Sequence, residues 1–276
     1  MRRVHKGVFV LLLLSVLSGC AYNSKGKAAS PNDAKLLERI IQKGELAVGT
    51  AASMPPFNMT TKSGEIIGLD IDIAKYVAAG MGVKLRIEAM PFEDLLPALK
   101  TGKVDMVISG MTITPQRNLK FSFVGPYFIS GQAFLTKQEK VASAQQVSEL
   151  NSPDISLAVL SGSTSQLFAE EAMPKARLVK AENYDQAVDM VLQSKVDALL
   201  ADYPFCLVAT LRHSGEGLFS ILTLFTYEPL GIAVAQTDPH FINWLENFLD
   251  NMEGSGTLDE LKSAWFEDDS WLKKLP

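Results

Sequence analysis

The chain has 276 residues, of which 47% are hydrophobic and 21% are charged, and its formal net charge at pH 7 is −5. This length can bury one hydrophobic core, or two cores if the chain divides into lobes of about 100 residues each. Because no basic stripe follows the N-terminal segment, the negative net charge argues against a nucleic-acid partner.

The N-terminus has the pattern of an export signal. Three basic residues lie before an unbroken apolar run at residues 8–14, which is too short to span a bilayer comfortably. The run ends in LSGC at residues 17–20, which resembles the lipobox of bacterial lipoproteins, where the peptide is cut before the cysteine and the thiol receives lipid. We therefore expect a lipoprotein signal peptide over residues 1–20 with lipidation at Cys20, the alternatives being an ordinary signal peptide or a buried cysteine of its apolar region. Residues 21–33 have almost nothing to bury and are expected to form a flexible tether.

The two cysteines of the chain are Cys20 and Cys206. If Cys20 carries lipid, Cys206 has no partner for an intramolecular disulfide in what should be an oxidising compartment. Stability must then come from the hydrophobic core.

The predicted elements form two series in which strands and helices alternate. The first series contains helix 35–43, strand 46–49, a hairpin over 57–68, helix 70–79, strand 83–88, helix 92–100 and strand 104–108. The second follows an alternating stretch at 131–137 and contains strand 155–160, a helix from 164, strand 177–179, helix 184–193, strand 196–200 and a helix from 203. Strand 230–235 and helices 239–252 and 257–266 then complete the chain. The alternation predicts an α/β fold with parallel sheets covered by helices.

The two series are an approximate architectural echo, because KVDMV at residues 103–107 and KVDAL at 195–199 each follow an amphipathic helix and open a strand. The last elements are too few for a third domain, so we expect them to return to the first lobe. The predicted organisation is two Rossmann-like lobes with a ligand cleft between them. Lobe 1 comprises residues 34–130 and 229–276, lobe 2 comprises 131–228, and the hinge segments lie near 131–136 and 226–231.

Arg117 follows the strand at 104–108 and lies on the lobe 1 side of the expected cleft. Its guanidinium has the planar fork of donors that binds a carboxylate through two bonds, and Thr112 can add a hydroxyl and its N–H. Spacing alone, however, favours a solvated surface charge at this position.

Asp202 ends the corresponding strand of lobe 2, and an Asp before a Pro-containing first turn is also a common helix N-cap. A carboxylate from one lobe and a guanidinium from the other would provide the two poles that a zwitterion requires. Residues 162–164 (GST) open a helix whose N–H groups can hold an anion, although a simple capped turn explains them equally well.

Several motifs together resemble bacterial solute-binding protein family 3, the extracytoplasmic receptors of polar amino-acid ABC transporters. These motifs are GLDIDIA at 68–74, LLPALKTGKVD at 95–105, SGMTITPQR at 109–117, FSFVGPY at 121–127 and VDALLAD at 196–202. The resemblance runs in order from about residue 34 to 268. It implies the bilobed type II periplasmic-binding fold and a monomer that captures a free amino acid and delivers it to an ABC permease. With the lipobox, it implies a lipid-anchored protein in the periplasm or on the extracellular face of the membrane.

The resemblance also implies the role of individual residues. Arg117 matches the family's carboxylate-binding arginine, Thr112 matches its hydroxyl partner, and Asp202 matches the ammonium-binding acid. The backbone groups near the amine, the N–H donors of the second lobe and the aromatic wall match Gly110, Thr164 with Ser163, and Phe92.

The sequence departs from the family pattern in the pocket for the ligand side chain. Ala51 stands where many members place an acid for a cationic ligand, Met54 replaces a common aromatic, and Leu160 stands where glutamine binders supply a lysine. With Phe92, these residues would form a mainly apolar pocket, which favours a neutral amino acid over lysine, arginine or glutamate. Ordinary core packing explains Met54 and Leu160 equally well.

Two other functions fit the same fold. Some of its members resemble cyclohexadienyl dehydratases, but retention of an amine-binding aspartate argues against that enzyme because prephenate has no amine. The chain can also be a ligand-sensing subunit for a receptor. We expect no cofactor and no metal, because Asp70 and Asp72 serve a helix start and no further ligands cluster with them.

Overall fold

The structure is a computed structural model that describes residues 35–221 and 226–276. The predicted signal peptide, the tether and Cys20 lie outside the described residues. No helix in the described ranges is long and apolar enough to cross a membrane.

The predicted helices and strands are present in the predicted order. The helices are α1 (Leu36–Lys43), α2 (Leu69–Met81), α3 (Phe92–Lys100), α4 (Pro115–Asn118), α5 (Glu139–Ala142), α6 (Thr164–Ala172), α7 (Tyr184–Leu192), α8 (Tyr203–Arg212), α9 (Pro239–Gly254) and α10 (Thr257–Phe266). The strands are β1 (Glu45–Thr50), β2 (Ser53–Met54), β3 (Asn58–Thr60), β4 (Ile66–Ile67), β5 (Lys84–Ala89), β6 (Met106–Val107), β7 (Ser122–Ser130), β8 (Gln132–Thr136), β9 (Ser156–Leu160), β10 (Arg177–Ala181), β11 (Ala198–Asp202), β12 (Phe219–Ser220) and β13 (Glu228–Val234). Short 3-10 helices occupy Val147–Leu150 and Ser270–Lys274.

Two five-stranded sheets organise these elements. The first has the strand order β5-β1-β6-β13-β7 and the second has the order β10-β9-β11-β8-β12, while β2, β3 and β4 form a small third sheet. Within each large sheet the first three strands are parallel.

The predicted parallel sheets also contain antiparallel strands near the crossing points. Strand β13 runs antiparallel to β6 and β7, and β8 runs antiparallel to β11 and β12. Gly131 alone joins β7 in the first sheet to β8 in the second, so the chain passes directly from one sheet to the other at this point.

The repeated KVD motif has the same structural role in both sheets. Asp105 accepts a hydrogen bond from the N–H of Ala47 at 2.9 Å, and its own N–H donates to the Ala47 carbonyl at 2.8 Å. Asp197 makes the equivalent pair with Ser156, at 2.7 Å and 2.9 Å. Each aspartate therefore forms hydrogen bonds that connect the start of its own strand to the neighbouring strand. This shared role confirms the architectural echo between the two series.

The two sheets also touch away from the crossing strands. The C-terminal segment, residues 270–276, places Trp271 and Leu275 in a small buried cluster with Met59 and Ile67 of the third sheet and Val208 of α8. Residues 35–276 cluster as one compact unit, so the predicted boundaries between two lobes stay a prediction. Cys206 is a buried free cysteine in α8.

Candidate functional site

Arg117 lies in α4, the short helix that follows β6, and its side chain reaches the second sheet. The hydroxyl of Thr114 accepts from the N–H of Arg117 at 3.2 Å and fixes the start of this helix. The guanidinium donates to the carbonyl of Thr112 at 2.8 Å and to the carbonyl of Gly162, which follows β9, at 3.0 Å. Its central carbon lies 5.7 Å from the centre of the Phe92 ring.

The half-buried Arg117 is therefore not the solvated surface charge that its spacing alone favoured. Burial lowers the pKa of Arg117 to about 10, and the negative charges of Glu228 and Asp202 oppose this change. The guanidinium remains charged at neutral pH.

Threonine hydroxyls from the two sheets meet beside Arg117. The hydroxyl oxygens of Thr112 and Thr164 are 3.3 Å apart, and the side-chain amide of Gln132 donates to Thr164 at 3.3 Å. Gln132 is held in turn by the hydroxyl of Ser165, which donates to its carbonyl oxygen at 2.6 Å. Thr112 and Thr164 thus lie where an anion held by Arg117 can accept from both hydroxyls.

Ser163 serves the start of α6. Its hydroxyl accepts from the N–H of Gln166 at 3.2 Å and donates to the carbonyl of Leu160 at 2.7 Å, and its own N–H also donates to Leu160 at 3.2 Å. Both donors of Ser163 are engaged in this turn, so the prediction that it donates to a ligand has no support in the structure.

Asp202 ends β11 and occupies the N-cap position of α8, but its side chain makes no capping hydrogen bond. The residue is 5% exposed, and its Oδ1 has no hydrogen-bond partner in the described part of the chain. Burial raises the pKa of Asp202 to about 7; the Ser130 hydroxyl opposes this rise, and the negative charge of Glu228 adds to it. The helix-capping alternative is therefore not realised, and the carboxylate is available to a cationic group.

Glu228 is a site residue that the sequence reasoning missed. It begins β13 directly opposite Ser130 of β7, where the chain crosses between the sheets, and it is 5% exposed. Its Oε1 accepts from the Thr226 hydroxyl at 2.8 Å, whereas its Oε2 has no partner among the described residues. The available sequence signal was a glutamate that precedes a proline inside a predicted hinge segment. The neighbouring residues do not distinguish this glutamate from a solvent-exposed charge.

Gly110 is fixed by a buried carboxylate from another element. Asp70, in the first turn of α2, accepts from the N–H of Gly110 at 2.9 Å, from the Tyr127 hydroxyl at 2.7 Å and from the Asn58 amide at 2.8 Å. Burial raises the pKa of Asp70 to about 6, and these three donors limit the rise. The sequence assigned Asp70 to a helix start; the structure adds that its carboxylate holds the loop after β6.

Gly110 also borders the predicted apolar wall. Its φ is +57°, and a Cβ at this position would lie only 2.5 Å from the sulfur of Met54. Met54, Phe92 and Leu160 belong to one hydrophobic cluster and are 2%, 8% and 2% exposed, while Ala51 packs against the same cluster. The structure thus brings these wall residues together, and packing in the core accounts for them as well as a ligand does.

The chain is similar to known proteins over most of its length. A family model described as bacterial extracellular solute-binding proteins, family 3, matches residues 46–268. The ABC transporter glutamine-binding protein GlnH of Bacillus subtilis (strain 168) is 29% identical over 274 residues, covering 96% of this chain and 98% of that protein.

Solved structures of amino-acid-binding proteins are also similar to this chain. A chain named as the binding component of an ABC transporter from Wolinella succinogenes, complexed with lysine, is 39% identical with a TM-score of 0.79, covering 84% of this chain and 100% of the other. The ancestral amino acid-binding protein AncCDT-1, named as a precursor of cyclohexadienyl dehydratase, is 38% identical with a TM-score of 0.77, with the same coverage. These likenesses confirm the predicted fold class, the type II periplasmic-binding fold. Because the family model spans most of the chain, the protein belongs to the bacterial extracellular solute-binding proteins, family 3.

Proposed function

We propose that this protein captures a free amino acid between two lobes outside the cytoplasm and delivers it to an ABC permease. One observation carries the proposal: Arg117 and Asp202 come from elements of different sheets, and the buried Asp202 carboxylate has an oxygen with no partner within the described residues. The relatives that are named as amino-acid-binding proteins of ABC transporters support it. The chain acts as a monomer, anchored by lipid at Cys20.

Arg117 and Asp202 bind opposite ends of the amino acid. The Arg117 guanidinium takes the α-carboxylate through two parallel bonds, and the hydroxyls of Thr112 and Thr164 donate to the same group. Asp202 takes the α-ammonium, and Gly110 provides backbone groups beside it. Burying a zwitterion costs desolvation at both ends, so high affinity requires that both charges are paired at once.

Closure of the lobes accompanies binding. In the structure the contact between Arg117 and Gly162 and that between Thr112 and Thr164 join the two sheets directly. A ligand that forms hydrogen bonds to these groups of both sheets stabilises the arrangement in which the two lobes are closed. Shifting a mostly open population to a mostly closed one requires roughly 5 kcal/mol of differential binding.

The apolar wall formed by Met54, Phe92, Leu160 and Ala51 supports a neutral side chain, as the sequence predicts. The buried carboxylate of Glu228, which the sequence reasoning did not place in the site, favours a cationic one instead. Apolar contacts alone change the binding free energy between similar side chains by about 1–3 kcal/mol, so the site is expected to accept more than one amino acid.

A thermal-shift screen of the purified protein against the common amino acids tests the proposal, because a ligand that binds only the folded state raises the melting temperature. We expect a saturable rise with one or a few amino acids in the wild type, and a much smaller rise in Arg117→Ala and Asp202→Asn. A wild-type protein that no amino acid stabilises would refute the proposed function.

A dehydratase is the second candidate, because two buried carboxylates near one guanidinium include one, Asp202, whose pKa of about 7 suits proton transfer. The likeness to AncCDT-1 adds support. We favour a binding protein without enzymatic activity. Release of phenylpyruvate from prephenate by the purified protein would decide for the enzyme.

A further inference from the structure

The site contains one more negative charge than an amino acid needs. Asp202 and Glu228 are both 5% exposed, and among the described residues the cation that influences the pKa of Asp202 is Arg117. Among the described residues, neither carboxylate forms an ion pair within 4.0 Å. With all three groups ionised, the buried net charge is −1, and a zwitterion of zero net charge leaves that surplus in place.

The negative charges of Glu228 and Asp202 act on groups from several elements. The negative charge of Glu228 acts on Arg117 of α4, on Asp202 of β11 and on Tyr184 of α7. Asp202 acts in addition on Tyr127 of β7 and Cys206 of α8, whose pKa values, like that of Tyr184, are raised primarily by burial. The two tyrosines and the cysteine are therefore neutral near pH 7, and they do not offset the extra carboxylate.

Glu228 is also held in a fixed position. The N–H of Gln132 donates to the Thr226 hydroxyl at 3.1 Å, and that hydroxyl donates to Oε1 of Glu228 at 2.8 Å. This chain of bonds connects the two crossing strands and occupies one carboxylate oxygen only. The other oxygen, Oε2, is buried and has no hydrogen-bond partner in the described ranges, so it can accept a hydrogen bond from a cationic group.

We propose that Glu228 makes the site select its ligand by net charge: an amino acid with a cationic side chain binds more tightly than its uncharged isostere, because the cation offsets the extra carboxylate. This inference rests on the proposed function, because Arg117 and Asp202 must already be engaged by the α-groups. The α-ammonium is paired with Asp202, so a cationic side chain of the ligand is the group that offsets the charge of Glu228.

The test compares L-arginine with L-citrulline, its uncharged isostere, by titration calorimetry on the full chain at pH 8, in the wild type and in Glu228→Gln. Glutamine retains the Oε1 acceptor for Thr226 and removes only the charge. We expect the wild type to prefer arginine, and the ratio of the two affinities to fall by about tenfold or more in Glu228→Gln. Glu65→Gln, an exposed position, is the matched control and should leave the ratio unchanged.

L-lysine with L-norleucine serves as a second pair if the arginine side chain does not fit. A melting temperature equal to that of the wild type shows that the variant is folded.

Two outcomes overturn the inference: a wild type that binds the neutral isostere as tightly as the charged one or more tightly, or an affinity ratio that Glu228→Gln leaves unchanged. The first of these is also what the neutral ligand expected from the apolar wall predicts. If the wild type binds no amino acid, the proposed function itself fails, which is a different result from binding without charge selection.

Discussion

Replacing Arg117 by lysine should weaken amino-acid binding although it retains the positive charge. The guanidinium uses two separate nitrogens for its bonds to the carbonyls of Thr112 and Gly162, at 2.8 Å and 3.0 Å. The same fork can donate two parallel bonds to a carboxylate, whereas an ammonium at the end of a flexible chain can match only one of them.

The magnitude follows from the number of bonds lost. One hydrogen bond to a charged group contributes about 1.5–3 kcal/mol, so Arg117→Lys should raise the dissociation constant by roughly 10- to 150-fold. Arg117→Ala removes the cation itself and leaves the ligand carboxylate unpaired, at a cost of about 2–5 kcal/mol. The expected order of affinity is wild type, then lysine, then alanine.

Titration calorimetry with the amino acid that most stabilises the wild type measures this order. Arg39→Lys is the matched control, because in the described part of the chain the ion pair of the half-exposed Arg39 is with Asp105, at 3.2 Å, and not with a site residue. Binding by Arg117→Lys within twofold of the wild type, or an equal loss in the Arg39 variant, would refute the bidentate anchor.

Three further predictions concern stability. Because the pKa of Asp202 is about 7 in the folded protein against its ordinary 3.8, the ligand-free protein should lose stability as the pH rises from about 4 to 7, and Asp202→Asn should flatten this decline in thermal unfolding. Gly110→Ala should destabilise the protein by about 1–2 kcal/mol in chemical denaturation, because alanine disfavours a φ of +57° and its Cβ would meet Met54; denaturation identical to the wild type would contradict this. Leu275→Ala should lower the free energy of unfolding by about 2–4 kcal/mol, whereas Leu119→Ala, at a side chain 80% exposed, should change it little.

The helices that the sequence predicted well are those with local stop signals and regular apolar spacing. Helix α1 ends at Gly44, whose φ is +67° and whose N–H bonds the carbonyls of Ile40 and Ile41, as a glycine stop requires. Helices α3 and α10 have the predicted bounds. By contrast, the strand predicted over 104–108 is reduced to β6, because its length depends on pairing with β1 and β13.

The sequence alone determined the α/β alternation, the repeat of the KVD motif and the placement of Arg117 after one strand of the repeat and of Asp202 at the end of the other. These features depend on the periodicity of side chains and on the chemistry of single residues. The tertiary structure decided which groups meet: the crossing strands run antiparallel to their neighbours, Asp70 holds Gly110, Ser163 is committed to a helix start, and Glu228 adds its charge to the site. Burial and electrostatic interaction act through space between residues far apart in the chain, so no local pattern around Glu228 contains the information that its charge acts on Asp202 and Arg117.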